Sequence, residues 1–220
     1  MRPQVTLAYA QTLDGYIAAS DGSARWISGQ ASLMRTHTLR ASHDAIMVGV
    51  GTVVADNPRL NVRLVQGRDP IRVIIDGSLR IPDESAVLSP ESAPGTWIIC
   101  GPDADVMRRR TLSQRGAVVL PVGVDPFMGG VHLTQALAVL YQRGIRSIML
   151  EGGSRLITSM VRTRLVDRVA ITIAPKILGS GISAIGPIGI ETMADALMIA
   201  NVQTHRLDDD IWLEGEVRYE

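Results

Sequence analysis

The chain has 220 residues, and its 22 basic and 22 acidic side chains cancel. That length suits one domain with insertions better than two small ones, and the interspersed charges exclude the basic footprint of a nucleic-acid or membrane-surface binder. Cys100 is the only cysteine, which excludes an intramolecular disulfide, a multi-cysteine zinc cage and a dithiol redox centre. Residues 1–4 lead directly into a strand-like stretch without the sections of a signal peptide, and no apolar run approaches membrane-spanning length. The expectation is a cytoplasmic protein whose partners are small molecules or copies of itself, not nucleic acid and not a membrane.

In chain order, residues 5–9, 45–48, 71–75, 97–100, 117–120, 147–150 and 169–174 are short apolar, often β-branched runs near turn residues, and predict buried strands. Amphipathic stretches of helical period lie between them at 31–40, 104–115, 133–143 and 155–162. Strands alternating with helices predict a mostly parallel sheet covered on both faces. After Asp208-Asp209-Asp210 the pattern changes: Ile211, Leu213, Gly215, Val217 and Tyr219 alternate with Trp212, Glu214, Glu216 and Arg218. This predicts a half-exposed strand forming an antiparallel hairpin with residues 201–207. Residues 82–95 and 179–189, rich in glycine, proline and serine, read as surface loops within a single domain spanning 1–220.

In such sheets ligands collect beyond the carboxyl ends of the strands, so the segments leaving them carry the chemistry. Residues 10–18 hold an Asp14-Gly15 turn with Trp26 a short way on, which alone reads as a plain turn and a core tryptophan sooner than as a ligand site. Residues 48–58 begin Val48-Gly49-Val50-Gly51-Thr52, with a helix expected soon after; a structural tight turn and a phosphate cradle both fit, and neither a Rossmann nor a P-loop pattern is present. Leu150-Glu151-Gly152-Gly153-Ser154-Arg155 ends a buried strand in an acid and paired glycines before a helix. That is a simple strand-to-helix turn or an anion site for a dinucleotide pyrophosphate. Arg40, Arg59 and Arg63 are solvated arginines or forks for a substrate phosphate. The four histidines show no metal spacing and Gly-x-Ser-x-Gly is missing.

Taken in order, Thr12-Leu13-Asp14-Gly15, Trp26-Ile27, Gly51-Thr52, Asp56-Asn57-Pro58-Arg59-Leu60, Arg63, Pro70-Ile71-Arg72-Val73, Glu151-Gly152-Gly153 and Ala174-Pro175-Lys176-Ile177-Leu178-Gly179 closely resemble the reductase domain of the riboflavin-biosynthesis deaminase/reductase family. The likeness runs through nearly the whole chain. It implies a dihydrofolate-reductase-like three-layer αβα sandwich and an oxidoreductase using NADPH, without a metal, as a homodimer. The implied reaction reduces the ribosyl group of an amino- or 2,5-diamino-6-ribosylamino-pyrimidinone 5′-phosphate to a ribityl chain. The ribose opens to an imine-like species, and C1′ accepts the hydride.

Position by position, the resemblance implies NADPH contacts at Ala10, Trp26, Thr52, Asp56, Gly152, Gly153, Ser154, Arg155, Leu156 and Ile157, and substrate contacts at Arg40, Leu60, Arg63 and Glu151. Arg40 and Arg63 would hold the phosphate or the pyrimidine carbonyls, and Glu151 would accept from ring amino groups. Asp56 and Glu151 are the catalytic candidates; Asp56 would orient reacting groups or relay a proton, with helix capping as the rival role. Ala8 stands where bifunctional bacterial members often carry lysine, and Ala24 where they carry a small hydroxyl residue. No His-x-Glu or Pro-Cys-x-x-Cys zinc deaminase signature is present, so no deamination is expected. Reduction of a related pyrimidine or pterin-like compound, and a non-catalytic nucleotide-binding regulator, remain as alternatives.

Overall fold

The computed structural model describes residues 1–24, 27–126 and 129–219. Its elements run β1 (Gln4–Thr12), β2 (Tyr16–Ala18), α1 (Gln30–Ala41), β3 (Ala45–Gly49), α2 (Val50–Asp56), β4 (Ile71–Ile75), β5 (Thr96–Cys100), α3 (Val106–Gln114), β6 (Val118–Pro121), α4 (Leu133–Gln142), β7 (Ser147–Gly152), α5 (Ser154–Arg162), β8 (Arg168–Ala174), β9 (Ile182–Ser183), β10 (Met198–Leu207) and β11 (Asp210–Arg218). Among the described residues, nine strands form one sheet in the order β10-β11-β8-β1-β7-β3-β4-β5-β6. Every neighbouring pair from β8 to β6 is parallel; β11 pairs antiparallel with both β8 and β10.

The predicted three layers are present, and their cause is the period-2 alternation of strands apolar on both faces. In β3, Ala45 and Met47 face the side covered by α4 and α5, where Leu137, Leu140, Ile157 and Met160 complete the larger core. Ile46 and Val48 face the opposite side, where α2 and α3 contribute Val53 and Leu112. On that same side Ala8, Met149, Ala170 and Trp212 form a smaller cluster against Leu39 of α1.

Several expectations change. Trp212, expected on the outward face of the last strand, is buried, whereas Ile211 is 46% exposed. Alternation misassigns them because β11 is covered on both faces: Trp212 packs towards α1, and Leu213 and Val217 pack on the larger core. Residues 82–95 are not a plain surface loop, since two 3-10 turns bury Val87, Leu88 and Ala93. The other arm of the hairpin begins at Met198 rather than 201. An unexpected two-stranded sheet pairs β2 with β9. It is held near β1 by Asp14, whose carboxylate accepts from the backbone N–H groups of Leu178 and Gly179. Among the described residues no helix is long and apolar enough to cross a membrane.

Candidate active site

Adjacent strands β3 and β7 send the chain in opposite directions, β3 outward to β4 and β7 back across β1 to β8. Such a switch point opens a crevice at the carboxyl ends of the strands. A cleft of about 1190 Å³ lies there, lined by Ala8, Tyr9 and Ala10 of β1, Gly49 to Thr52 after β3, Gly77, Ser78 and Arg80 after β4, and Gly153 to Leu156 after β7. A second cavity of about 490 Å³ adjoins it, lined by Arg59, Leu60 and Arg63 among others. Arg40, Thr52, Asp56 and Glu151 line both and form the junction.

Two glycine-started helices meet at this junction. Gly49 precedes α2 and Gly153 precedes α5, both extended and neither with a side-chain cap, so their first N–H groups remain available to an anion. A Cβ on Gly153 would stand 3.1 Å from the Thr52 hydroxyl, and one on Gly49 would stand 3.7 Å from the Leu156 Cβ. Glycine at 153 therefore lets the two helix starts approach each other. The Gly152–Gly153 peptide is cis.

Arg40 reaches the junction from the last turn of α1 and donates from Nε and Nη2 to both carboxylate oxygens of Glu151, at 2.8–3.0 Å. Its Nη1 donates to the Asn61 carbonyl at 2.7 Å. Three hydrogen bonds to a charged partner fix the acid's orientation. The start of α1 is fixed in turn by buried Asp210, which accepts from the Gly29 N–H and the Ser32 hydroxyl. His37, one turn before Arg40, is buried and accepts from the Arg63 N–H at 3.2 Å. Burial, with the Arg40 and Arg63 cations beside it, holds its pKa down to about 4, so it is a neutral acceptor at neutral pH. Among the described residues the exposed Arg63 guanidinium donates only to the Asn61 side chain, at 3.3 Å, and the exposed Arg59 side chain has no hydrogen-bond or ionic partner. Burial pushes the Tyr9 phenol up to about 12, leaving a neutral hydroxyl at the β1 end of the cleft.

The arrangement provides a cleft lined by two helix starts without side-chain caps, joined to a cavity where Arg59 and Arg63 have no ionic partner among the described residues. Residues 3–213 match the model of the RibD C-terminal domain family. The chain belongs to that family. A relative from Methanothermobacter thermautotrophicus, named 2,5-diamino-6-ribosylamino-4(3H)-pyrimidinone 5′-phosphate reductase, is 41% identical over 99% of this chain and 100% of its own length. The riboflavin biosynthesis protein RibD of Aquifex aeolicus is 36% identical over 96% of this chain, which spans 56% of that protein. The solved RibD of Acinetobacter baumannii superposes with a TM-score of 0.82 at 29% identity, covering 99% of this chain and 58% of that one.

Within this RibD C-terminal domain the residues singled out from sequence separate into groups. Ala10, Thr52, Asp56, Gly153, Ser154, Arg155 and Leu156 line the large cleft. Leu60 and Arg63 line the smaller one, and Arg40 and Glu151 stand at the junction. Trp26 lies outside the described residues. Ile157 does not belong with the cleft: its side chain is fully buried in the larger core and its N–H is bonded to the Gly153 carbonyl, because one helical turn carries it away from the helix start. Gly152 is buried behind the cleft rather than lining it. Asp56 is no N-cap, since it is the last residue of α2 and is exposed. Arg40 and Glu151, read from sequence as separate substrate contacts, hold each other. Ser78, Arg80 and Asp210 were not singled out; a lone Ser-x-Arg after a strand and an acid in an Asp run carry no distinguishing pattern.

Proposed function

We propose that this chain reduces the ribosyl group of 2,5-diamino-6-ribosylamino-pyrimidinone 5′-phosphate to the ribitylamino product, with NADPH as reductant. The observation that carries the reading is the junction: Glu151, Asp56 and Thr52 stand where the helix-start cleft meets the arginine-lined cavity. The cavity fits the substrate's phosphate end, since Arg59 and Arg63 offer exposed guanidinium groups. The first turns of α2 and α5 fit a pyrophosphate. When bound, the nicotinamide supplies the hydride for C1′ of the opened sugar.

The chain's own groups do the positioning. Arg40 presents the Glu151 carboxylate to donors on the substrate, and Asp56 is placed to orient the sugar hydroxyls or to move a proton at the ring oxygen as it opens. NADPH is favoured over NADH because exposed Ser78 and Arg80 line the cleft at the β4 exit, and neither Arg80 nor Arg155 has an ionic partner among the described residues. The β1 and β4 exits are three strand spacings apart, roughly 14 Å, so a dinucleotide lying across the helix starts would bring its adenosine ribose to Ser78 and Arg80.

Loss of reduced-nicotinamide absorbance with the diamino compound, the deaminated compound, or neither tests the assignment. Oxidation with the diamino form is the expected result, and Asp56→Asn and Glu151→Gln should each lower kcat about 100-fold or more in a folded protein. NADPH binding without oxidation of either compound would leave the related-substrate and regulator readings. The reading places the enzyme in the cytoplasm as a homodimer joined along β10. That ten-residue edge strand is mostly exposed and carries Met198 and Val202 at 61% and 49% exposure.

A further inference from the structure

The turn after β4 is held from below by two charged side chains whose contacts there are with its backbone. Asp76 is fully buried, and its Oδ2 accepts from the Ile81 N–H at 2.8 Å. Its carbonyl accepts from the Leu79 N–H at 3.2 Å and its own N–H donates to the Ile99 carbonyl at 2.9 Å. Arg108 of α3 also donates to the carbonyls of Leu79 and Ile81. Leu79 itself is buried and adopts φ 57°, a left-handed conformation that a leucine keeps only where its surroundings impose it. The residues pointing the other way, Ser78 and Arg80, are exposed and line the cleft.

Burying a carboxylate is costly, and the second oxygen of Asp76, Oδ1, has no partner among the described residues. A carboxylate kept there at that cost, with one oxygen spent on one backbone N–H, points to the geometry of the turn as what it secures. We infer that Asp76 and Arg108 are positioning residues for cofactor specificity. They lock residues 76–81 in the one conformation that offers the Ser78 hydroxyl and the Arg80 guanidinium together to a phosphate on the adenosine ribose. The inference rests on the NADPH reading above. Preorganised donors bind an anion without paying the ordering entropy of a loose turn, so discrimination resides in the support as much as in the arginine.

The experiment is a steady-state comparison of NADPH and NADH in the wild type, Arg80→Ala, Asp76→Ala, Asp76→Asn and Arg108→Ala. Arg80→Ala should raise KM for NADPH relative to KM for NADH about tenfold or more. Asp76→Ala and Arg108→Ala should reproduce that pattern although neither side chain faces the cleft. Asp76→Asn, whose amide oxygen still accepts from Ile81, should restore most of the preference. If Arg80→Ala loses the preference but Asp76→Ala and Arg108→Ala keep it, the positioning role falls and the cofactor reading stands. If Arg80→Ala itself leaves the ratio unchanged, the cofactor reading of this turn falls and the inference with it. Should Asp76→Ala fail to fold, Arg108→Ala and Asp76→Asn decide: preference lost in the first and kept in the second supports the inference, and any other result overturns it.

Discussion

The Arg40–Glu151 pair sits with side chains only 9% and 17% exposed, so its two charges depend on each other. Removing one partner strands the other. Arg40→Met should therefore destabilise the fold by about 3 kcal/mol in urea unfolding, while Arg40→Met combined with Glu151→Met should recover most of that loss and remain inactive. Equal losses in the single and double variants would show that Arg40 matters through Asn61 instead. His37 makes a different kind of prediction. Its folded pKa of about 4 lies below the ordinary 6.5, so between those values the unfolded chain binds the extra proton. Stability contributed by neutral His37 is complete above pH 6.5, drains away as pH falls towards 4, and is flat below. His37→Gln, which keeps an acceptor for the Arg63 N–H but cannot titrate, should flatten the Tm profile across that window. An unchanged slope would assign the acid sensitivity to other groups.

At the scale of elements, α1 is aimed by its two ends. Gly29 gives no side-chain cap, so buried Asp210 from the start of β11 satisfies the first N–H, and one helix later Arg40 reaches Glu151. Asp210→Ala should cost about 1–3 kcal/mol, because the buried Ser32 hydroxyl and the Gly29 N–H lose their acceptor, and should also raise KM for the pyrimidine through a misplaced Arg40. A stability loss with an unchanged KM would confine Asp210 to capping. This tie joins residues 181 positions apart, which is why no local pattern announced it. The parallel strands were legible for the opposite reason: β3, β4, β5 and β7 are covered on both faces and read as mostly apolar runs, despite Arg72 within β4. Helix α2 escaped as an immediate continuation of β3 because it has only seven residues and contains Gly51, a poor helix former. Of the site, the glycine-started turns were visible as possibilities, and resemblance supplied their roles. The support beneath them, Asp76, Asp210 and Asn61, is a product of packing.

For the whole molecule, the sheet order sets both where the cleft opens and which strand edges are left unpaired. The late return of the chain through β7, between β1 and β3, creates the crevice; the final hairpin extends the same sheet to an edge at β10. At its other margin the sheet ends in β6, only four residues long, whereas β10 offers ten residues, roughly 33 Å of strand, with an irregularity between Ala200 and Gln203. A long edge bearing exposed apolar side chains is a liability in a monomer and a natural seam for a two-fold partner. A stable seam buries on the order of 1,200–2,000 Å² in total, which needs the exposed start of β11 at Ile211 as well as β10. Light scattering at micromolar protein should therefore give a dimer, and Val202→Lys should shift it to monomer without unfolding, since Val202 is half exposed and outside the core clusters. A wild-type monomer would remove the seam altogether. A Val202→Lys protein that stays dimeric would move it off β10, and a Val202→Lys monomer with normal turnover would show that the cleft works without a neighbour.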